Sequence, residues 1–145
     1  MITLNTEESI DANEKYQTYV RLMQQLNIAR EHGFRFEMCM ISYAVIEDRS
    51  SAALRHAGEC DQSNLYMKIG SLKKVYESDN KLFHEAYDID LFDAIDRWRR
   101  ERNQLVHSLA TIAYDDTRIE KVAEDGFRLA RRLRDMVTRY KSLMS

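Results

Sequence analysis

Six consecutive residues carry the chemistry that stands out in this chain. Arg102-Asn103-Gln104-Leu105-Val106-His107 sets a guanidinium, an amide and an imidazole close together. Histidine has an ordinary pKa of about 6.5, so at neutral pH it serves as base or acid. Arginine keeps its charge and grips phosphate oxygens with a planar fork. This set of groups suits attack on a phosphodiester: an imidazole takes the proton of the attacking hydroxyl, another protonates the leaving oxygen, and the guanidinium holds the non-bridging oxygens. On a helix, Asn103 and His107 are i, i+4 neighbours, whereas Arg102 and His107 stand about 140° apart and roughly 7.5 Å along the axis. A long arginine leans across that gap or acts with the histidine of a second chain.

The surrounding pattern singles out Arg102 again. Leu91, Ile95, Trp98, Arg102, Leu105, Leu109 and Ile112 follow at alternating spacings of four and three, an apolar stripe with one cation in it. A buried charge is costly unless paired or able to reach water along its stem. A second stripe, Phe36, Met40, Tyr43, Glu47, Ser50 and Leu54, is interrupted by Glu47 in the same way. A Glu47–Arg102 contact across the helices is therefore expected. Beside the arginine stripe run Asp96, Arg99, Asn103 and His107, so Arg99 borders the same region, on a solvated face or along the path of a substrate.

Other chemistries find little footing. No Glu-x-x-His, His-x-x-x-His or Cys-x-x-Cys spacing occurs, and no phosphate-binding glycine loop or dinucleotide fingerprint. No metal or cofactor is expected. Two cysteines, Cys39 and Cys60, are too few for a disulfide framework and read as free thiols in a reducing cytoplasm. His32, His56 and His84 read as bystanders, and Trp98 and the tyrosines as core or interface rather than base-stacking platforms. The most apolar stretch, 34–46, is interrupted by Arg35 and Glu37 and is too short to span a bilayer.

The elements that must position these residues are helices. The 145-residue chain has no proline, where average usage would give roughly seven, and only four glycines. A β-sandwich or barrel would need more turn residues. Apolar residues recur at helical spacing over five long segments, about 7–32, 34–57, 63–77, 89–113 and 117–145, with a short piece at 80–87. Gly58 reads as the glycine closing the second segment and Ser63 as the N-cap of the third, and Thr117 and Glu120 have capping-box spacing. One domain, 1–145, forms an antiparallel all-α bundle of four to five helices.

The R-N-x-x-x-H hexapeptide, on a late helix of a small all-helical chain, resembles the ribonuclease members of the HEPN superfamily. By chance, with 15 arginines and four histidines, an R-x4-H spacing is expected in about 0.4 of such chains, and adding the asparagine lowers this to about 0.02. The looser spacing of up to six residues is uninformative; Arg49 and His56 satisfy it, as do Arg100 and His107. The resemblance implies a HEPN-like fold, a homodimer whose two motif helices form one cleft, and metal-independent RNA cleavage. In it Arg102 and His107 are catalytic, Asn103 orients the histidine or the phosphate, and an acidic or polar residue of an earlier helix, Glu47 or Asp48, supports them. Members paired with a nucleotidyltransferase antitoxin often carry tyrosine two residues after the histidine; Leu109 stands there, and Tyr114 is too far along to replace it.

The expected function is thus a metal-independent endoribonuclease, a toxin or phage-defence effector, with RNA as substrate and an antitoxin or regulatory protein as restraint. The alternative is a non-catalytic helical module that binds RNA or docks a protein. The overall charge of −2 conceals an asymmetry: residues 97–145 hold 12 Lys+Arg against 7 Asp+Glu, and residues 1–96 hold 10 against 17. The motif helix and the arginine-rich last helix form the positive part, a nucleic-acid cue.

Overall fold

The computed structural model describes residues 2–109 and 116–145, with side chains from residue 13 onward. All regular structure in these residues is helical: α1 (Ile2–Glu31), α2 (Arg35–His56), α3 (Leu65–Glu77), α4 (Lys81–Ala86), α5 (Ile89–Ser108) and α6 (Asp116–Met144). This is one helix more than the four to five expected, because the short piece after Asn80 is a helix in its own right. Asn80 Oδ1 caps it by accepting from the Phe83 N–H at 3.1 Å.

Glycine closes the first two helices for a physical reason. Gly33 and Gly58 have φ of +70° and +77°, a region that costs an L-side chain about 1–2 kcal/mol. In both, the next residue's N–H reaches back to the helix, Phe34 to the Ala29 carbonyl at 2.8 Å and Glu59 to the Leu54 carbonyl at 2.9 Å. The cap of α3 is Asn64, not Ser63: Asn64 Oδ1 accepts from the Met67 N–H at 2.9 Å, while the Ser63 hydroxyl turns to the Met67 sulfur. Helix α5 ends at Ser108, short of the expected 113, and Ile112, Ala113 and Tyr114 lie outside the described residues. Thr117 sits inside α6 rather than at its cap.

Helix α6 is the central element. It packs along α2 and against α4 and α5, and its buried line runs Ile119, Val122, Ala123, Gly126, Phe127, Ala130, Leu133, Val137, Tyr140. Helix α5 runs antiparallel to it: Trp98 Nε1 donates to the Val122 carbonyl at 2.8 Å, and Arg118 donates to Gln104 Oε1 at 3.2 Å. By contrast α2 and α6 run in the same direction, since Arg35 pairs with Glu120 at one end and His56 shares a groove with Lys141 at the other. The bundle is therefore not antiparallel throughout. At the second end, Phe83, Tyr87, Phe92 and Tyr140 form a buried aromatic cluster that seats α4. The motif end of the molecule is the opposite one, where α5 terminates and α2 and α6 begin.

Candidate functional site

Leu91, Ile95, Trp98 and Leu105 bury the apolar stripe of α5 as its spacing required, and Arg102 emerges between the last two. It does not meet Glu47. Its guanidinium carbon lies 4.2 Å above the Tyr43 ring of α2, Nη1 donates to Asn103 Oδ1 at 3.1 Å, and Nη2 approaches the Met40 sulfur at 3.2 Å. Nε is buried with no hydrogen-bond partner. Tyr43 in turn packs against Trp98, with ring centroids 6.2 Å apart. Trp98, Tyr43, Arg102 and Met40 thus form a continuous row bridging α5 to α2.

The aromatic face orients the guanidinium by attraction to its ring electrons and does so without neutralising it. No carboxylate pairs with Arg102 among the described residues. The positive charge is held in place and remains available to an anion.

The supporting acids go elsewhere, which corrects the expected pairing. Glu47 faces α3, with its Oε2 3.9 Å from Lys68 Nζ. Asp48 accepts both Nε and Nη2 of Arg49, at 2.9 and 2.7 Å, on the side of α2 that faces α1. One residue of helix turns a side chain by about 100°, so neighbours on α2 serve different partners. Lys68 explains where Glu47 went. It is a buried lysine whose Nζ donates to Ser51 Oγ at 2.8 Å and lies 3.7 Å from Asp61. Burial pushes the Asp61 carboxyl up, but hydrogen bonds from Ser51 and the Gln62 N–H, with the charge of Lys68, outweigh it and hold it below the ordinary range.

Arg99 also has its own partners. It donates to Asp96 through Nε at 3.1 Å and Nη2 at 3.0 Å, and its guanidinium sits 5.2 Å from the centre of the Tyr66 ring on α3. Of the predicted residues, Arg102 and Asn103 are joined directly. His107 stands exposed in the last turn of α5, on the same end of the molecule. Tyr43 and Met40, the seat of Arg102, are additions; their places on the α2 stripe were the signal.

The electrostatics of the seat are one-sided. Burial pushes the Tyr43 hydroxyl above its ordinary value, and Glu47 adds to this while Arg102 and Arg99 pull the other way. Burial raises the Cys39 thiol to about 11 against the charge of Arg102, so it stays neutral. Cys39 is buried and Cys60 exposed, both free. Among the described residues no three His, Cys, Asp or Glu side chains cluster with metal-binding geometry, and no helix is long and apolar enough to cross a membrane.

Around the site the surface is unusually apolar. Phe36 and Met40 are each 42% exposed and Leu109 is 36% exposed. The α2 stripe is buried only from Ser50 onward, and its N-terminal half faces outward beside Arg102. No protein-family model matches the chain, no curated protein matches its sequence, and no solved structure matches it.

Proposed function

We propose that this chain is a metal-independent endoribonuclease of the HEPN type, acting on RNA as a homodimer in the cytoplasm. The observation that carries the reading is Arg102: a guanidinium set in an apolar stripe, oriented on Tyr43 and by Asn103, and joined to no carboxylate, with an exposed histidine five residues on. Arg102 binds the non-bridging oxygens of the scissile phosphate. His107 of one chain removes the proton of the ribose 2′-hydroxyl, the oxygen attacks phosphorus, and the bond to the 5′-oxygen breaks. His107 of the other chain protonates that leaving oxygen. The products are a 2′,3′-cyclic phosphate and a 5′-hydroxyl end.

The uncovered residues Phe36, Met40 and Leu109 supply the apolar rim against which a second copy closes, bringing two histidines and two arginines into one cleft. A toxin or phage-defence role follows, with a cognate antitoxin or regulatory protein as restraint. The same apolar rim favours the alternative, a non-catalytic module that docks a partner protein or RNA there. The test is cleavage of mixed RNAs in chelator. His107→Ala and Arg102→Ala each lower the rate by roughly 100-fold or more, and undiminished cleavage by purified His107→Ala overturns the assignment.

A further inference from the structure

One contact in the seat of Arg102 is chemically unlike the others. Arg102 Nη2 donates to the Met40 sulfur at 3.2 Å, and this contact is open to solvent. A thioether is a weak acceptor, so that arm of the guanidinium stays available to an anion. The sulfur is also the group in the seat that an oxidant can change. Among the methionines with described side chains, Met23 and Met38 are buried and Met136 is partly buried, whereas Met40, Met67 and Met144 are 42%, 44% and 50% exposed. The Met67 sulfur faces the Ser63 hydroxyl, and among the described residues only the Met40 sulfur meets a guanidinium.

The surroundings of the sulfur decide what an added oxygen would meet. Asn103 engages Nη1 of Arg102 at 3.1 Å and the Tyr43 ring covers one face of the guanidinium, so Nη2 is the arm left to a new acceptor. Cys39, one residue before Met40, is buried, and an oxidant in solvent meets the thioether before that thiol.

We propose that Met40 is a reversible oxidation site that switches Arg102 off. The sulfur gives an electron pair to hydrogen peroxide: a sulfur–oxygen bond forms, the oxygen–oxygen bond breaks, and water leaves. The sulfoxide oxygen, a much stronger acceptor than the thioether, takes the N–H of Nη2 in a charge-assisted hydrogen bond. Arg102 is then held by strong acceptors at both amino nitrogens, and a phosphate must displace one of them. The oxygen also makes the rim beside Phe36 and Leu109 polar, which opposes the closing of a second copy on it. Reduction returns the thioether: two thiols become a disulfide and the oxygen leaves as water, the reaction of methionine sulfoxide reductases. The effect on cleavage rests on the ribonuclease reading; the capture of Arg102 does not.

The test uses dilute full-length protein carrying Cys60→Ser, which removes the exposed thiol. Its arginines are labelled with nitrogen-15, and it is treated with hydrogen peroxide that catalase then removes. Peptide mass mapping is expected to show an added oxygen on Met40, Met67 and Met144 and none on Met23 or Met38. The Arg102 Nε–H resonance, assigned by its loss in Arg102→Lys, shifts on oxidation and returns after the two epimer-specific reductases with dithiothreitol. In Met67→Leu/Met144→Leu it still shifts; in Met40→Leu, folded by circular dichroism, it does not. Cleavage of mixed RNAs in chelator falls at least about tenfold on oxidation and recovers with the reductases, while Met40→Leu after peroxide keeps its own untreated rate. The proposal is overturned if Met40 is spared while Met67 and Met144 are oxidised, or if the Arg102 resonance stays in place once Met40 carries oxygen. It is equally overturned if the oxidised protein cleaves as before, or if Met40→Leu loses cleavage to peroxide as its parent does. If the untreated protein cleaves no RNA, the ribonuclease reading fails, and the Arg102 resonance alone decides whether Met40 captures it.

Discussion

Arg102 shows how a charge is made usable inside a packed surface. Its stem passes between apolar residues, its face rests on Tyr43, and one nitrogen is spent on Asn103. Lysine would keep the charge but lose the planar stacking and the fork. Arg102→Lys is therefore expected to retain the fold, by circular dichroism, and to lose at least about tenfold in RNA cleavage. Tyr43→Phe preserves the ring under the guanidinium and leaves cleavage within about threefold, whereas Tyr43→Leu removes the aromatic face and costs several-fold more. The Lys68 cluster makes a separate prediction. Asp61 has a folded-state pKa below its ordinary value of 3.8, so in acid the unfolded chain binds the proton more readily than the native one. Its contribution to stability is complete above that ordinary value and is lost as pH falls through the lowered native one. In denaturant titrations, the stability gap between wild type and Asp61→Asn is expected to be steady near pH 6 and to close at the acid end. Neither Lys68 nor Asp61 was legible in the sequence. A lysine and an aspartate seven residues apart carry no spacing signal, and only the fold brings Ser51 and Glu47 to them.

Helix α5 and helix α6 approach closely because Gly126 has no side chain. A β-carbon there would lie 2.5 Å from Trp98 Cζ2 and 2.8 Å from Cε2, against a ring that is itself buried and hydrogen-bonded. Gly126→Ala is expected to destabilise the protein by about 1–3 kcal/mol, measured by urea unfolding. At α4, Asn80 caps the helix and its Nδ2 donates to the Tyr140 hydroxyl at 3.1 Å, so Asn80→Ala should cost roughly 1–2 kcal/mol. The long helices were readable because apolar spacing repeats over many turns. The cap of α3 was not, since Ser63 and Asn64 are adjacent good caps and the winner depends on where Leu65 must point into the core. The outward course of the N-terminal half of the α2 stripe was not legible for the same reason: periodicity identifies a face, and only the tertiary arrangement says what covers it.

At the scale of the molecule, charge and apolar surface are sorted to different places. The motif and α5–α6 supply the positive part that the sequence count revealed, and the apolar rim of Phe36, Met40 and Leu109 adjoins Arg102. If two copies close on that rim, sedimentation should show a dimer that Met40→Glu converts to monomer, with cleavage falling in parallel and the helical signal unchanged. That both ends of one bundle carry cations, with opposite faces of α2 contributing to each, was only half visible beforehand. The Arg102 line stood out as a break in a stripe, while Arg49, Arg55, Arg134 and Lys141 are separated by up to 92 positions and converge through the parallel course of α2 and α6.

The single tryptophan of the chain is Trp98, and its indole lies on the seam between α5 and α6, in contact range of Tyr43 beneath Arg102. The protein thus carries an optical probe at the place where the motif helix α5 joins α6. Its emission in the native state should be blue-shifted and fed by tyrosine energy transfer. An anion settling on Arg102 would perturb it through a single intervening ring, and separation of α5 from α6 would shift it red even where the other helices persist. One spectrum would then distinguish occupancy of the site from opening of the seam without any label.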